Sequence, residues 1–213
     1  MTQQKFLILL GGRLSPTARL ARQISGARVL AADSGIAHAE ALDVTPELWL
    51  GDFDSADAGL LERFAPVPKK GFPSEKDITD GELAAVHALK HDAEELVLAG
   101  AFGGRADHAF LHLTLALRLA EGGTSVILSS GAEEGRPVLP GEADFDLPSG
   151  ATFSILAFSP LKGLTISGAR WPLTRAAVPF GASLTLSNRV EGALRIGLEE
   201  GRAVLVAQIE GDH

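Results

Sequence analysis

Six aspartates fall where a parallel sheet presents its ligands, at the ends of strand-like runs or the starts of helix-like ones. Asp33 lies in Ala31-Ala32-Asp33-Ser34-Gly35, and Asp52 and Asp54 stand two apart in Gly51-Asp52-Phe53-Asp54-Ser55. Asp77 and Asp80 are spaced i and i+3 across a helix start in Lys76-Asp77-Ile78-Thr79-Asp80. Asp107 belongs to Gly103-Gly104-Arg105-Ala106-Asp107-His108. Hard carboxylate oxygens are the ligands magnesium prefers, and clustered anions beside a phosphate require cations between them. Two carboxylates two apart in an extended segment point the same way and can share one ion. Arg105, next to a glycine pair, is placed to meet phosphate. Gly11-Gly12 and Gly103-Gly104 could let backbone amides approach one closely, although lone Gly-Gly pairs usually just turn the chain. Taken singly, each aspartate reads better as a turn former or an N-cap. The Asp-Phe-Asp spacing also serves phosphatases and nucleotide-sugar transferases.

Other chemistries find less support. The chain has no cysteine, which excludes disulfides, thiolate zinc sites and thiol nucleophiles. It has no G-x-S-x-G elbow, and Gly11-Gly12-Arg13 does not continue into the G-x-G-x-x-G dinucleotide pattern. His87 and His91, and His108 and His112, are each spaced i and i+4, but no Glu completes an H-E-x-x-H motif. His87, His91 and His112 therefore read as solvated or structural. Acidic residues outnumber basic ones 27 to 19, giving a net charge of −8, and no basic run exceeds Lys69-Lys70. Neither nucleic acid nor an anionic membrane is an expected partner. The apolar run Phe6–Leu10 is too short for a signal peptide, and no stretch approaches the ~20 apolar residues of a spanning helix. A cytoplasmic protein is the expectation.

The elements that must position these residues follow from 213 residues, 46% of them hydrophobic and 22% charged, enough for a substantial core. Over the first ~130 residues strand-like and helix-like segments alternate, the pattern of a parallel sheet with flanking helices. Strands are expected at 5–10, 28–32, 48–50, 96–99 and 126–128. Helices are expected at about 15–24, capped by Ser15-Pro16, and at 36–42, 79–90 and 106–120. Trp49, inside an apolar strand, is assigned to the core. Residues 133–142 read as a polar connection or a loosely held hairpin. Beyond them, short strand-like runs at 152–158, 164–167, 183–186, 194–198 and 203–207 alternate with turn signals and predict an antiparallel β-sandwich. The expectation is an α/β domain over 1–131, with a parallel sheet and flanking helices, followed by an all-β sandwich domain over 132–213.

In order, the four acidic segments quoted above resemble the thiamine pyrophosphokinase family. Gly168-Ala169-Arg170-Trp171-Pro172-Leu173 and Leu186-Ser187-Asn188 are similar to that family's Trp-Pro-Leu and Ser-Asn signatures. The resemblance covers nearly the whole chain; Ser34 stands where the family more often has glycine. It implies transfer of a diphosphate from Mg-ATP to the primary hydroxyl of thiamine, releasing AMP, by a homodimer with active sites between subunits. By resemblance, Asp52, Asp54, Asp77 and Asp80 hold Mg2+, and Arg105 and Asp107 complete the catalytic set. Gly11, Gly12, Asp33, Gly35, Gly104 and Arg105 then contact the nucleotide, and Trp171, Ser187 and Asn188 contact thiamine. Trp171 could stack on the cationic substrate or serve as a core tryptophan. The alternatives are a pterin-alcohol diphosphokinase, a metal-dependent phosphatase using Asp52 and Asp54, and a non-catalytic thiamine- or nucleotide-binding regulator.

Overall fold

The computed structural model describes residues 4–53, 58–72 and 78–209. Six strands form a parallel array: β1 (Lys5–Leu9), β2 (Arg28–Ala32), β3 (Leu48–Gly51), β4 (Lys69–Gly71), β5 (Glu95–Ala99) and β6 (Ser125–Ser129). Their spatial order is β4-β3-β2-β1-β5-β6. The apolar run in β1 is explained by burial on both faces. Phe6 and Ile8 join one core, and Leu7 and Leu9 join another on the opposite face.

Helices α1 (Ala18–Ile24) and α2 (Ala58–Arg63) cover the second face, through Leu20, Ile24 and Leu60. Helices α3 (Asp80–Leu89) and α4 (Ala106–Glu121) cover the first, through Ala84, Ala88, Leu115 and Leu119. Small alanines on α3 let its backbone sit close to the sheet. A 3-10 turn, Asp33–His38, replaces the start of the helix expected at 36–42. The cap of α1 is Thr17 rather than Ser15: its hydroxyl accepts the Leu20 amide at 3.1 Å.

The rest of the chain is β-rich: β7 (Glu133–Val138), β8 (Gly141–Phe145), β9 (Thr152–Ala157), β10 (Leu161–Ala169), β11 (Leu173–Val178), β12 (Asn188–Leu198) and β13 (Ala203–Gln208). Residues 133–142 are not a loose connection. β7 pairs antiparallel with β6 on one side and with β13 on the other, so the parallel sheet continues into the β-rich half. The polar sequence hid this strand because its Glu134 is buried in an ion-pair network rather than turned to water. β9 follows β13, and the first residues of β12 pair with β9. Further along, β12 joins a second layer, lying between β8 and β10, with β11 beyond β10. Phe153, Ile155 and Leu205 from one layer share a core with Leu164, Ile166, Leu194 and Ile196 from the other. The strand expected at 183–186 is instead a turn. Only Thr185 of these four is buried, held by exchange of hydrogen bonds with Ile155.

Candidate active site

The carboxyl ends of β1, β2, β3 and β5 open on one pocket of about 590 Å³. The turn after β1 contributes Gly11 and Gly12, and that after β2 contributes Asp33 and Ser34. Asp52 follows β3, and Gly103, Gly104 and Arg105 lie between β5 and α4. Two helix N-termini also face the space: Thr79–Glu82 at the head of α3, and His108 in the first turns of α4. The unpaired amides of such ends carry partial positive charge and favour phosphate. Around them stand the carboxylates of Asp33, Asp52, Asp80 and Glu82. Positive backbone ends and negative side chains on one wall suit a polyphosphate and its cations together.

Local backbone constraints explain how these groups come so close. A Cβ on Gly12 would lie 2.3 Å from the Gly100 carbonyl oxygen and 2.5 Å from that of Phe102, so only glycine lets these two turns meet. Gly103 and Gly104 take φ of +73° and +69°, which glycine adopts freely. Asp33 holds φ of +46° without that freedom, a strain that surrounding structure must offset. The Trp49 indole does so by donating to the Asp33 carbonyl at 2.8 Å. Trp49 itself is fully buried, in line with its assignment to the core. On the other side of the glycine turn, His38 Nε2 donates to the Gly12 carbonyl at 2.9 Å.

The pocket thus gathers Asp33, Asp52, Asp80, Gly11, Gly12, Gly104 and Arg105. Asp54 and Asp77 lie outside the described residues. The extended geometry assumed for Asp-Phe-Asp does not hold at its centre, because Phe53 takes φ of +63° and packs its ring edge-on against Trp49. Gly35 is buried away from the pocket; a Cβ there would lie 2.3 Å from the Leu9 carbonyl, so its function is to seat the 3-10 turn on β1. Asp107 is exposed and does not line the pocket. It grips Arg105 through two hydrogen bonds, at 3.1 and 2.5 Å. Those bonds hold its carboxyl at about 2, helped by the His108 amide, and raise the Arg105 pKa.

Trp171, Ser187 and Asn188 form a separate group in the β-rich half, outside the pocket's lining. Trp171 is 55% exposed, so it is not a core tryptophan. Asn188 is buried beneath it and clamps its backbone from both sides, accepting from Trp171 N at 3.1 Å and donating to Trp171 O at 2.8 Å. Ser187 takes φ of +58°, and its amide donates to the Ser154 hydroxyl. Phe180, Leu184 and Leu186 are also exposed. Among pocket residues, sequence reasoning passed over Ser34, Thr79 and His112. Thr79 carried a readable signal, a hydroxyl three residues before Glu82, whose amide it caps.

Comparison with known proteins agrees with this architecture. The model of the thiamin pyrophosphokinase catalytic domain matches residues 23–128, and that of the thiamin pyrophosphokinase vitamin B1 binding domain matches residues 142–202. A chain built of these two parts is a kinase-type diphosphotransferase. It belongs to the thiamin pyrophosphokinase family. A thiamine pyrophosphokinase of Bacillus subtilis is 29% identical over 163 residues, spanning 74% of this chain and 72% of the relative. The crystal structure of the Bacillus subtilis enzyme superposes with a TM-score of 0.87 at 23% identity, covering 97% of this chain and all of that one. The thiamin pyrophosphokinase of Geobacillus thermodenitrificans gives 0.83 at 25% identity, covering 97% and 98%. That of Candida albicans gives 0.80 at 13% identity, covering 98% and 90%.

Proposed function

We propose that this chain transfers a diphosphate group from Mg-ATP to the primary hydroxyl of thiamine, yielding thiamine diphosphate and AMP. The observation that carries the reading is the convergence of Asp33, Asp52 and Asp80 with the N-termini of α3 and α4 on one pocket. The donor set fits magnesium, which is bound through one or two carboxylates plus substrate phosphates rather than in an all-protein cage. Asp52 and Asp80 are the described residues that would hold it, with Asp54 and Asp77 completing the proposed set. Bound there, Mg2+ supplies neutralisation of charge on the phosphate oxygens.

The chain's own residues do the positioning. Backbone amides at the starts of α3 and α4 hold phosphate oxygens as negative charge shifts toward the leaving AMP. Gly11 and Gly12 bring the β1 turn near enough for backbone contact, and Arg105 adds a guanidinium that Asp107 keeps oriented. Attack by the thiamine alcohol on the β-phosphorus needs no covalent enzyme intermediate, so the gain lies in alignment and electrostatics. Thiamine recognition and dimerisation are assigned to residues 132–213, nucleotide chemistry to 1–131. Exposed Trp171 supports stacking on the thiamine cation. The exposed Trp171, Phe180, Leu184 and Leu186 support a homodimer in which each site is completed between subunits. A cytoplasmic location is part of the same reading, since the proposed reaction draws on ATP.

Incubation with Mg-ATP, with and without thiamine, tests the reading. Thiamine-dependent AMP and thiamine diphosphate in equal amounts are expected. ADP or free phosphate as the product would refute it.

A further inference from the structure

His112 has two edges with different tasks. It is 8% exposed and borders the pocket. Its Nδ1 lies 2.9 Å from the Ala101 carbonyl oxygen. A carbonyl only accepts, so Nδ1 carries the proton and the tautomer is fixed. Burial lowers the ring's pKa, opposed by the Ala101 bond and reinforced by His108, so the ring stays neutral near pH 7. Nε2 then presents a lone pair, and among the described residues it has no hydrogen-bond partner. It lies 4.0 Å from where a Cβ on Gly81 would stand, and the missing side chain leaves this nitrogen open to the pocket. Nε2 thus faces the pocket, where a donor on a bound molecule can take the place of water.

We infer that His112 Nε2 accepts a hydrogen bond from the nucleoside half of the nucleotide, from a ribose hydroxyl or an amino group of the base. This rests on the reading of the pocket as an ATP site. Ionised phosphate oxygens only accept and cannot satisfy a lone pair; they belong at the helix N-termini. His112 shares this pocket with Gly11, Gly12, Asp33, Gly104 and Arg105, residues assigned to the nucleotide. A neutral donor reaching His112 therefore comes from the ribose or the base. His112 becomes a specificity-determining residue, while its Nδ1 tethers the Gly100–Gly104 turn to α4.

Nucleotide affinities of the full chain would be measured by calorimetry for ATP, 2′-deoxyATP, 3′-deoxyATP and inosine triphosphate, with wild type and H112N. Asparagine places an amide nitrogen where Nδ1 was, keeping the Ala101 tether, and has no atom at the Nε2 position. Wild type is expected to lose about fivefold to tenfold in affinity for the one analogue that lacks the donor, the worth of a neutral hydrogen bond. H112N should bind ATP weaker by a similar factor and no longer distinguish that analogue. H112Q, whose amide reaches the Nε2 position, should restore the discrimination at a lower melting temperature. Equal binding of all four nucleotides by wild type overturns the inference, as does unchanged discrimination in folded H112N. Discrimination against oxythiamine that depends on His112, with none among the nucleotides, overturns it too. Discrimination among nucleotides without formation of thiamine diphosphate would instead fail the proposed function and leave the nucleotide contact standing.

Discussion

Trp49 Nε1 donates to the backbone carbonyl of Asp33 across 2.8 Å, and this bond joins the centre of the core to the rim of the pocket. Asp33 sits at φ +46°, so the indole steadies the strained backbone that carries this pocket carboxylate. Trp49→Phe keeps most of the apolar volume and removes the donor. It is expected to cost about 1–3 kcal/mol, the penalty for leaving a buried acceptor unpaired, and to lower kcat/KM for ATP as well. Urea unfolding and steady-state kinetics check both; a stability loss with unchanged kinetics would confine the bond to the core.

Gly12 and Gly26 form a matched pair of tests. Gly12→Ala drives a methyl group into two backbone carbonyls that have no side chain to move aside. It should cost about 1–3 kcal/mol or more and abolish nucleotide binding. Gly26 has φ of +73° and open space around its Cβ position, so Gly26→Ala should cost only about 1 kcal/mol and leave binding intact. Melting temperatures and ATP titrations of the two variants decide this.

Acid should weaken the seam between α1 and β7. Burial pushes the Glu134 carboxyl up, but the Arg19 hydrogen bond, with Arg136, the Arg19 charge and Gln23, holds it below its ordinary value of 4.5. A depressed folded-state pKa means that the stabilisation is fully present above the unfolded value and lost as pH falls through the folded one. Stability should therefore decline below about pH 4.5, and Glu134→Gln should flatten that limb. Glu134→Ala, which strands two arginines, is expected to cost about 3–5 kcal/mol at pH 7. Urea midpoints between pH 3 and 7 read out both.

Trp171 and Asn188 separate binding from folding. Trp171→Ala removes an exposed ring and should change stability by no more than about 0.5 kcal/mol while weakening thiamine affinity. Asn188→Ala removes a buried clamp and should destabilise the fold by about 1–3 kcal/mol. A melt and a thiamine titration of each variant make the comparison.

The pocket was legible in the sequence to the extent that its chemistry is local. Asp33 and Asp52 end apolar runs and Asp80 starts a periodic helix, so their convergence follows from the topology of a parallel sheet. Contacts made between distant segments were not legible. β7 reads as polar because the partner that neutralises Glu134 is Arg19, 115 residues away. Phe53 leaves the extended region to reach Trp49, which Asp-x-Asp spacing cannot reveal. His112 looked structural because its i, i+4 spacing from His108 says nothing of Ala101, the carbonyl that fixes its tautomer.

The central claim is attack at the β-phosphorus, and the position of label in the product tests it most directly. ATP labelled separately at the β- and γ-phosphates would be incubated with thiamine and the purified chain, and the product isolated. The account predicts that both labels enter thiamine diphosphate in equal measure while AMP carries neither. Label from the γ-phosphate alone, with ADP as the second product, would contradict it.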